Sequence, residues 1–171
     1  MARKLYFAYG SNLDFDQMAH RCPGAEYLGV ATLPDHALKM DSAGFATVVP
    51  NRGSHVQGAL WDLSAANEES MDGYEGIATG CYEKTEVGVT YAGDPAFDGA
   101  HAFSSAYGYG EGEAAGLTLD AIIYLSTRPP FGDTTWREDY LERVRKGAAH
   151  LSLDASTRAQ LDRISLEAKN N

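Results

Sequence analysis

An α+β fold follows from three features of this 171-residue chain. Runs rich in β-branched and aromatic residues, cut by Gly, Pro and Asp, fill most of its first three quarters. Short helix-like stretches interrupt those runs in two places. Two longer segments with apolar residues at helical spacing close the chain. Strands first, with helices inserted and appended, is the α+β pattern. With 44% hydrophobic residues the chain can bury a core as one domain over 1–171, without disulfides or a structural metal.

Lys4 to Tyr9 is dense in β-favouring aromatics and reads as the first strand. Asn12 to Met18 opens a short helix after an Asn or Asp cap. Tyr27 to Leu33, Ala37 to Met40 and Ala46 to Val49 are short β-like runs separated by Pro, Asp and Gly. After Asn51-Arg52-Gly53-Ser54, the run Val56 to Leu63 is a further strand, with neither face purely polar. Ser64 is a good N-cap for a helix through about Gly73, because its hydroxyl can accept from the open first-turn amides. Tyr82 to Ala92 and Ala100 to Tyr109 flank GDPAFDG as a hairpin, and Leu117 to Ser126 is an apolar strand ended by Thr127-Arg128-Pro129-Pro130. The pattern Thr135-x-x-Glu138 starts a helix carrying Trp136, Tyr140 and Val144 on one face. A last helix runs from about Ser156 through Leu161, Ile164 and Ala168.

Composition excludes several function classes. A formal net charge of −10 repels phosphate backbones and anionic lipid, so nucleic acid is not an expected partner. No apolar run approaches the roughly 18 to 20 residues of a membrane span, and MARKLYFAYGS lacks the apolar core of a signal peptide. Two cysteines, Cys22 and Cys81, make no disulfide framework and no C-x-x-C pair, which fits reduced thiols and a cytoplasmic setting. The five histidines show no metal-ligand spacing, so no metal is expected.

Two motifs are decoys. Gly110-x-Gly112-x-x-Ala115, with Asp133 beyond it, matches a degenerate dinucleotide fingerprint, but an apolar strand follows it where a helix is required. His20-Arg21-Cys22 places a thiol near an imidazole, yet a buried structural cysteine is the commoner role, and no Gly-x-Ser-x-Gly elbow is present. Two other places can carry chemistry. Gly10-Ser11-Asn12 follows a strand directly, and consecutive N–H groups at such a turn can bind a carboxylate or a developing oxyanion. Read alone, the same residues also make an ordinary turn with Asn12 as cap. Glu75, in MDGYEGI, is a carboxylate among apolar and aromatic neighbours, where burial raises a carboxyl pKa toward the range useful for proton transfer.

Taken together, YFAYGSNL and the later DGYEG-x-x-x-G-x-Y resemble the γ-glutamylcyclotransferase family, which includes γ-glutamylamine cyclotransferases and plant avirulence-induced-gene-like proteins. The resemblance is strongest over 4–150, leaving 151–171 as a C-terminal helix. It implies a small mixed β-barrel, closed or nearly closed, with packed helices. It also implies Tyr6, Phe7, Ala8, Tyr9, Gly10 and Ser11 as the substrate-binding loop, Glu75 as the catalytic carboxylate and Tyr140 as a substrate tyrosine. Asn12 and Tyr82 join the substrate-binding candidates. Before Tyr140 the family often carries Pro-Ser-Pro, where this chain has Asp133-Thr134-Thr135-Trp136.

The implied reaction is attack of a γ-glutamyl α-amine on its own γ-carbonyl, releasing 5-oxoproline and an amine or amino acid. Orientation supplies much of such an intramolecular catalysis, and no metal or redox cofactor is required. Glu75 is the expected general acid/base, and the loop amides hold either the α-carboxylate or the oxyanion. The expected partner is a small γ-glutamyl molecule, with monomer and homodimer both open. The alternatives are a non-catalytic binding or interaction module on the same fold, or a cyclotransferase acting on a larger leaving amine.

Overall fold

Five strands close on themselves in the order β1-β3-β2-β4-β5. They are β1 (Lys4–Ala8), β2 (Glu26–Met40), β3 (Ala46–Leu63), β4 (Tyr82–Gly93) and β5 (Thr118–Ser126). The computed structural model describes residues 4–93, 115–130 and 137–169. Four of the five junctions are antiparallel, and the fifth, β1 to β5 through Tyr6 and Ile122, is parallel. Parity requires this, because strands that alternate in direction cannot close a ring of five without one parallel neighbour. Consequently the ends of β1, β2 and β5 and the starts of β3 and β4 gather at one mouth of the barrel.

The four short runs expected between Tyr27 and Leu63 are two long strands. Pro34 and Asp35 make a bulge within β2, at a register shift between Pro34 and His36, and do not end the strand. Proline cannot donate to the ladder, and Asp35, at φ 54°, uses its carboxylate to accept the Gly53 N–H at 2.8 Å. Asn51 to Ser54 likewise stays in β3. From Val56 to Leu63 both faces are largely covered, since one faces the barrel interior and the other the surrounding elements. Ala59, Leu60, Trp61 and Leu63 are all buried.

Helix α1 (Phe15–Arg21) is capped by Asp14, whose carboxylate accepts the Gln17 N–H at 2.8 Å. Asn12 is therefore no cap; it lies buried in a 3-10 turn, Ser11–Leu13. Helix α2 (Ala65–Tyr74) starts as expected at Ser64, in a reciprocal capping box with Asn67. It ends at Glu75, because Gly76 turns left-handed at φ 66°, where a side chain would also run into Thr79. Helix α3 (Glu138–His150) has Arg137 as its N-cap, so Glu138 is its first residue and not the third of a capping box. Val144 faces the core as expected, and Tyr140 packs against it half-buried. Helix α4 (Ala155–Lys169) crosses β2 and β3, with Gln160 accepting the Leu38 N–H and donating to the His55 carbonyl. The strand expected over 100–109, the preceding turn, Gly110, Gly112, Asp133, Thr135 and Trp136 lie outside the described residues.

Candidate active site

Glu75 owes its position to two local instructions. Helix α2 carries it inward, and left-handed Gly76 then reverses the chain, leaving the carboxylate at the helix end facing the barrel mouth. Its side chain is only 13% exposed. The Nδ2 of Asn12 and the guanidinium of Arg21 each approach its Oε1 at 3.4 Å. Burial pushes this carboxyl above its ordinary value, while Arg21 and the Asn12 amide pull it back. The balance is a carboxyl poised above the usual range and supplied with donors for its ionised form.

Asn12 is itself oriented. Its Oδ1 accepts from Gln17 Nε2 at 2.8 Å and Arg21 Nη1 at 3.0 Å, so its Nδ2 faces Glu75 and the Tyr6 hydroxyl, the latter at 2.8 Å. Gln17 also donates to Ser11 Oγ at 2.6 Å. Helix α1 thus braces the loop that precedes it. Burial raises the Tyr6 hydroxyl pKa strongly, with the Glu75 charge adding to it, which keeps that phenol neutral.

Tyr140 reaches the same cavity from α3. Its hydroxyl oxygen accepts the Ala46 N–H at 3.1 Å and lies 3.0 Å from where a side chain on Gly10 would begin. Burial lifts its pKa to about 12, against the stabilising backbone amides of Ala46 and Ser11. With its acceptor side met by backbone amides, the Tyr140 O–H is a donor available to the cavity. The Ser11 amide, expected to meet a substrate oxygen directly, is thus already turned toward a tyrosine hydroxyl. Glycine at position 10 lets the ring come this close.

These groups share one cavity of about 390 Å3 at the barrel mouth. Among the residues singled out from the sequence, Tyr6, Tyr9, Gly10, Ser11, Asn12, Glu75, Tyr82 and Tyr140 all line it. Phe7 and Ala8 do not; both are fully buried, with the Phe7 ring packed beside Gly58. Strand alternation sends Tyr6 and Phe7 to opposite faces, so a continuous loop of contacts is not attainable from β1.

Against this geometry, a model of the family described as gamma-glutamyl cyclotransferase, AIG2-like, matches residues 6–131. The chain belongs to the gamma-glutamyl cyclotransferase, AIG2-like family. Two curated relatives are named gamma-glutamylcyclotransferase. The bovine one is 35% identical over 96 residues, covering 50% of this chain and 51% of the relative. The human one is 36% identical over 95 residues, covering 50% of each. The chain therefore spans about half the length of the curated relatives it matches. Among solved structures, an uncharacterized human protein superposes with a TM-score of 0.69 at 26% identity, over 95% of this chain and 88% of that one. A gamma-glutamyl cyclotransferase superposes with a TM-score of 0.70 at 23% identity, over 99% of this chain and all of the other, which establishes the shared fold.

Several residues of this family member's cavity carried no signal in the sequence. Gln17 and Arg21 sit one helical turn apart on α1, and Arg137 and Arg143 reach the cavity from α3. A lone arginine on a helix reads as a solvated surface group. Only the i, i+3, i+6 spacing of Arg137, Tyr140 and Arg143 puts those two arginines on the tyrosine's face.

Proposed function

We propose that the protein is a γ-glutamylcyclotransferase, converting a γ-glutamyl amine or amino acid to 5-oxoproline and the free amine. The observation that carries this reading is a buried, proton-poised Glu75 facing the same cavity as residues 9–12 and the Tyr140 hydroxyl. Family membership supports it.

The substrate α-ammonium seats at Glu75, which takes its proton and frees a lone pair. That nitrogen attacks the γ-carbonyl carbon, closing a five-membered ring, and the carbonyl π pair moves onto oxygen. Tyr140 O–H, itself held by backbone amides, stabilises that oxygen. When the carbonyl re-forms, the original γ-amide C–N bond breaks, the proton held by Glu75 goes to the leaving nitrogen, and the surplus proton of the ring nitrogen passes to the freed Glu75 carboxylate and from there to the released amine. One carboxylate serves each transfer in turn, and the chemistry needs no metal or redox cofactor. A cytoplasmic setting fits such a small-molecule reaction.

Incubation with a panel of γ-glutamyl compounds tests the reading by release of 5-oxoproline. Glu75→Gln is expected to lower kcat by about 10²- to 10⁴-fold, the usual contribution of a general acid/base. Wild-type protein that forms no more 5-oxoproline than the Glu75→Gln variant, yet binds the compounds, would make it a binding module instead.

A further inference from the structure

Four arginines line the cavity in a chain whose formal net charge is −10. Two have carboxylate partners: Arg21 beside Glu75, and Arg128 beside the buried Asp41, each at 3.4 Å. Arg137 and Arg143 have none within ion-pair distance among the described residues. Arg137 lies over the Phe45 ring, 5.5 Å from its centroid, and Arg143 donates to the neutral Gln17 side chain. Both are exposed at the mouth, while Glu75 lies deep. Asp139, between them on α3, also borders the cavity and leaves the pair in excess.

The γ-glutamyl head is a zwitterion, and its needs are met below this rim. Its ammonium goes to Glu75, and its oxygens go to Tyr140 and the loop. Because the head must reach inward to Glu75, the leaving group extends outward past α3. There it meets two guanidiniums, on either side of Tyr140 along one helix face. Each offers a planar fork suited to a carboxylate, and each meets a neutral partner, with no carboxylate at ion-pair distance among the described residues. Resting on the function proposed above, we infer that the leaving amine is dianionic: an acidic amino acid or a short acidic peptide, one carboxylate to each of Arg137 and Arg143. A neutral or cationic amine, such as the ε-amine of lysine, leaves both guanidiniums unmatched.

The test compares γ-glutamylglutamate with γ-glutamylglutamine, which differ by one carboxylate at nearly constant shape. The wild type is expected to turn over the glutamate compound with kcat/KM about tenfold higher, through KM. Arg137→Gln and Arg143→Gln are each expected to bring that ratio toward one, while Arg137→Lys retains most of it. Calorimetric binding of both compounds to Glu75→Gln gives a second readout that needs no turnover. Turnover of both compounds at equal efficiency overturns the inference and leaves the cyclotransferase reading standing. Preferential binding of the glutamate compound without any 5-oxoproline does the reverse. Binding of neither compound overturns the inference as well.

Discussion

Glu75 is the residue on which the proposed chemistry turns, and its environment makes two signed predictions. Removing Arg21, which pulls its carboxyl pKa down, raises that pKa further. The reaction requires the ionised carboxylate, so Arg21→Gln is expected to move the acid limb of the kcat/KM profile to higher pH. Arg21→Lys moves it less. An unmoved limb with a uniform drop in rate means that Arg21 only braces Asn12. The second prediction concerns stability. Because the folded pKa lies above the ordinary 4.5, the folded state retains a proton that the unfolded chain has lost between the two values. Stability associated with the protonated form is complete below the unfolded pKa and is lost as pH rises through the folded one. Glu75→Gln is therefore expected to melt higher than wild type at pH 7, with the difference vanishing below about pH 4.5. Glu75 and Gly10 to Asn12 line one cavity, and the sequence points to them through the pairing of two motifs, each of which alone also fits an ordinary turn or helix end. Arg21 carries no such signal, since its role arises from a meeting with Glu75 across 54 positions.

At the scale of elements, α3 decides whether Tyr140 arrives. Its approach rests on Gly147, buried against the 3-10 turn, where an added Cβ would stand 2.6 Å from Leu13 Cβ and 2.9 Å from its backbone carbon. Neither contact can yield by a rotamer change, so Gly147→Ala must push α3 away from the turn that carries Ser11 and Asn12. The expected cost is about 1–3 kcal/mol, despite alanine's better helix propensity. Displacement of Tyr140 from the Ala46 amide should accompany it, seen as a fall in kcat/KM larger than the stability loss explains. A variant as stable and active as wild type would falsify this account of the packing. The start of α3, at Arg137, lies beyond the Thr135 pattern that marks it in the sequence. Arg137 serves as N-cap without a side-chain bond, and such a start leaves no capping signature to read. Similarly, Asn12 resembles a cap by type, but Asp14 has that role and leaves Asn12 to the cavity.

Across the whole molecule, strand count and function are linked: an odd barrel gathers three strand ends and two strand starts at one mouth, and Asp41 ties the β2–β3 hairpin to the end of β5. Mixed strands and helices were readable from local pattern and the barrel through the family resemblance, but the merging of four runs into β2 and β3 depends on long-range pairing that no local pattern records. Asp41, absent from every motif, sits fully buried where β2 ends. Its Oδ1 accepts the Ala43 and Phe45 N–H groups at 2.9 and 3.0 Å, fixing the hairpin that presents Phe45 and Ala46 to the cavity. Its Oδ2 accepts from Ser126 Oγ at 2.6 Å and from Arg128 at 3.4 Å, fixing the end of β5. Asp41→Ala leaves two amides, a hydroxyl and a guanidinium without their shared acceptor, and is expected to cost about 3–5 kcal/mol. Asp41→Asn can keep Oδ1 for the hairpin but turns an NH2 toward two other donors, so its cost should be smaller, about 1.5–3 kcal/mol. Urea unfolding of the two variants checks that order. If the tie also sets the cavity, both should lower kcat/KM under conditions where the protein remains folded, with alanine the more severe because it frees Ala46 from its place opposite Tyr140. Equal small losses for both would mean that the barrel mouth holds its shape without this carboxylate.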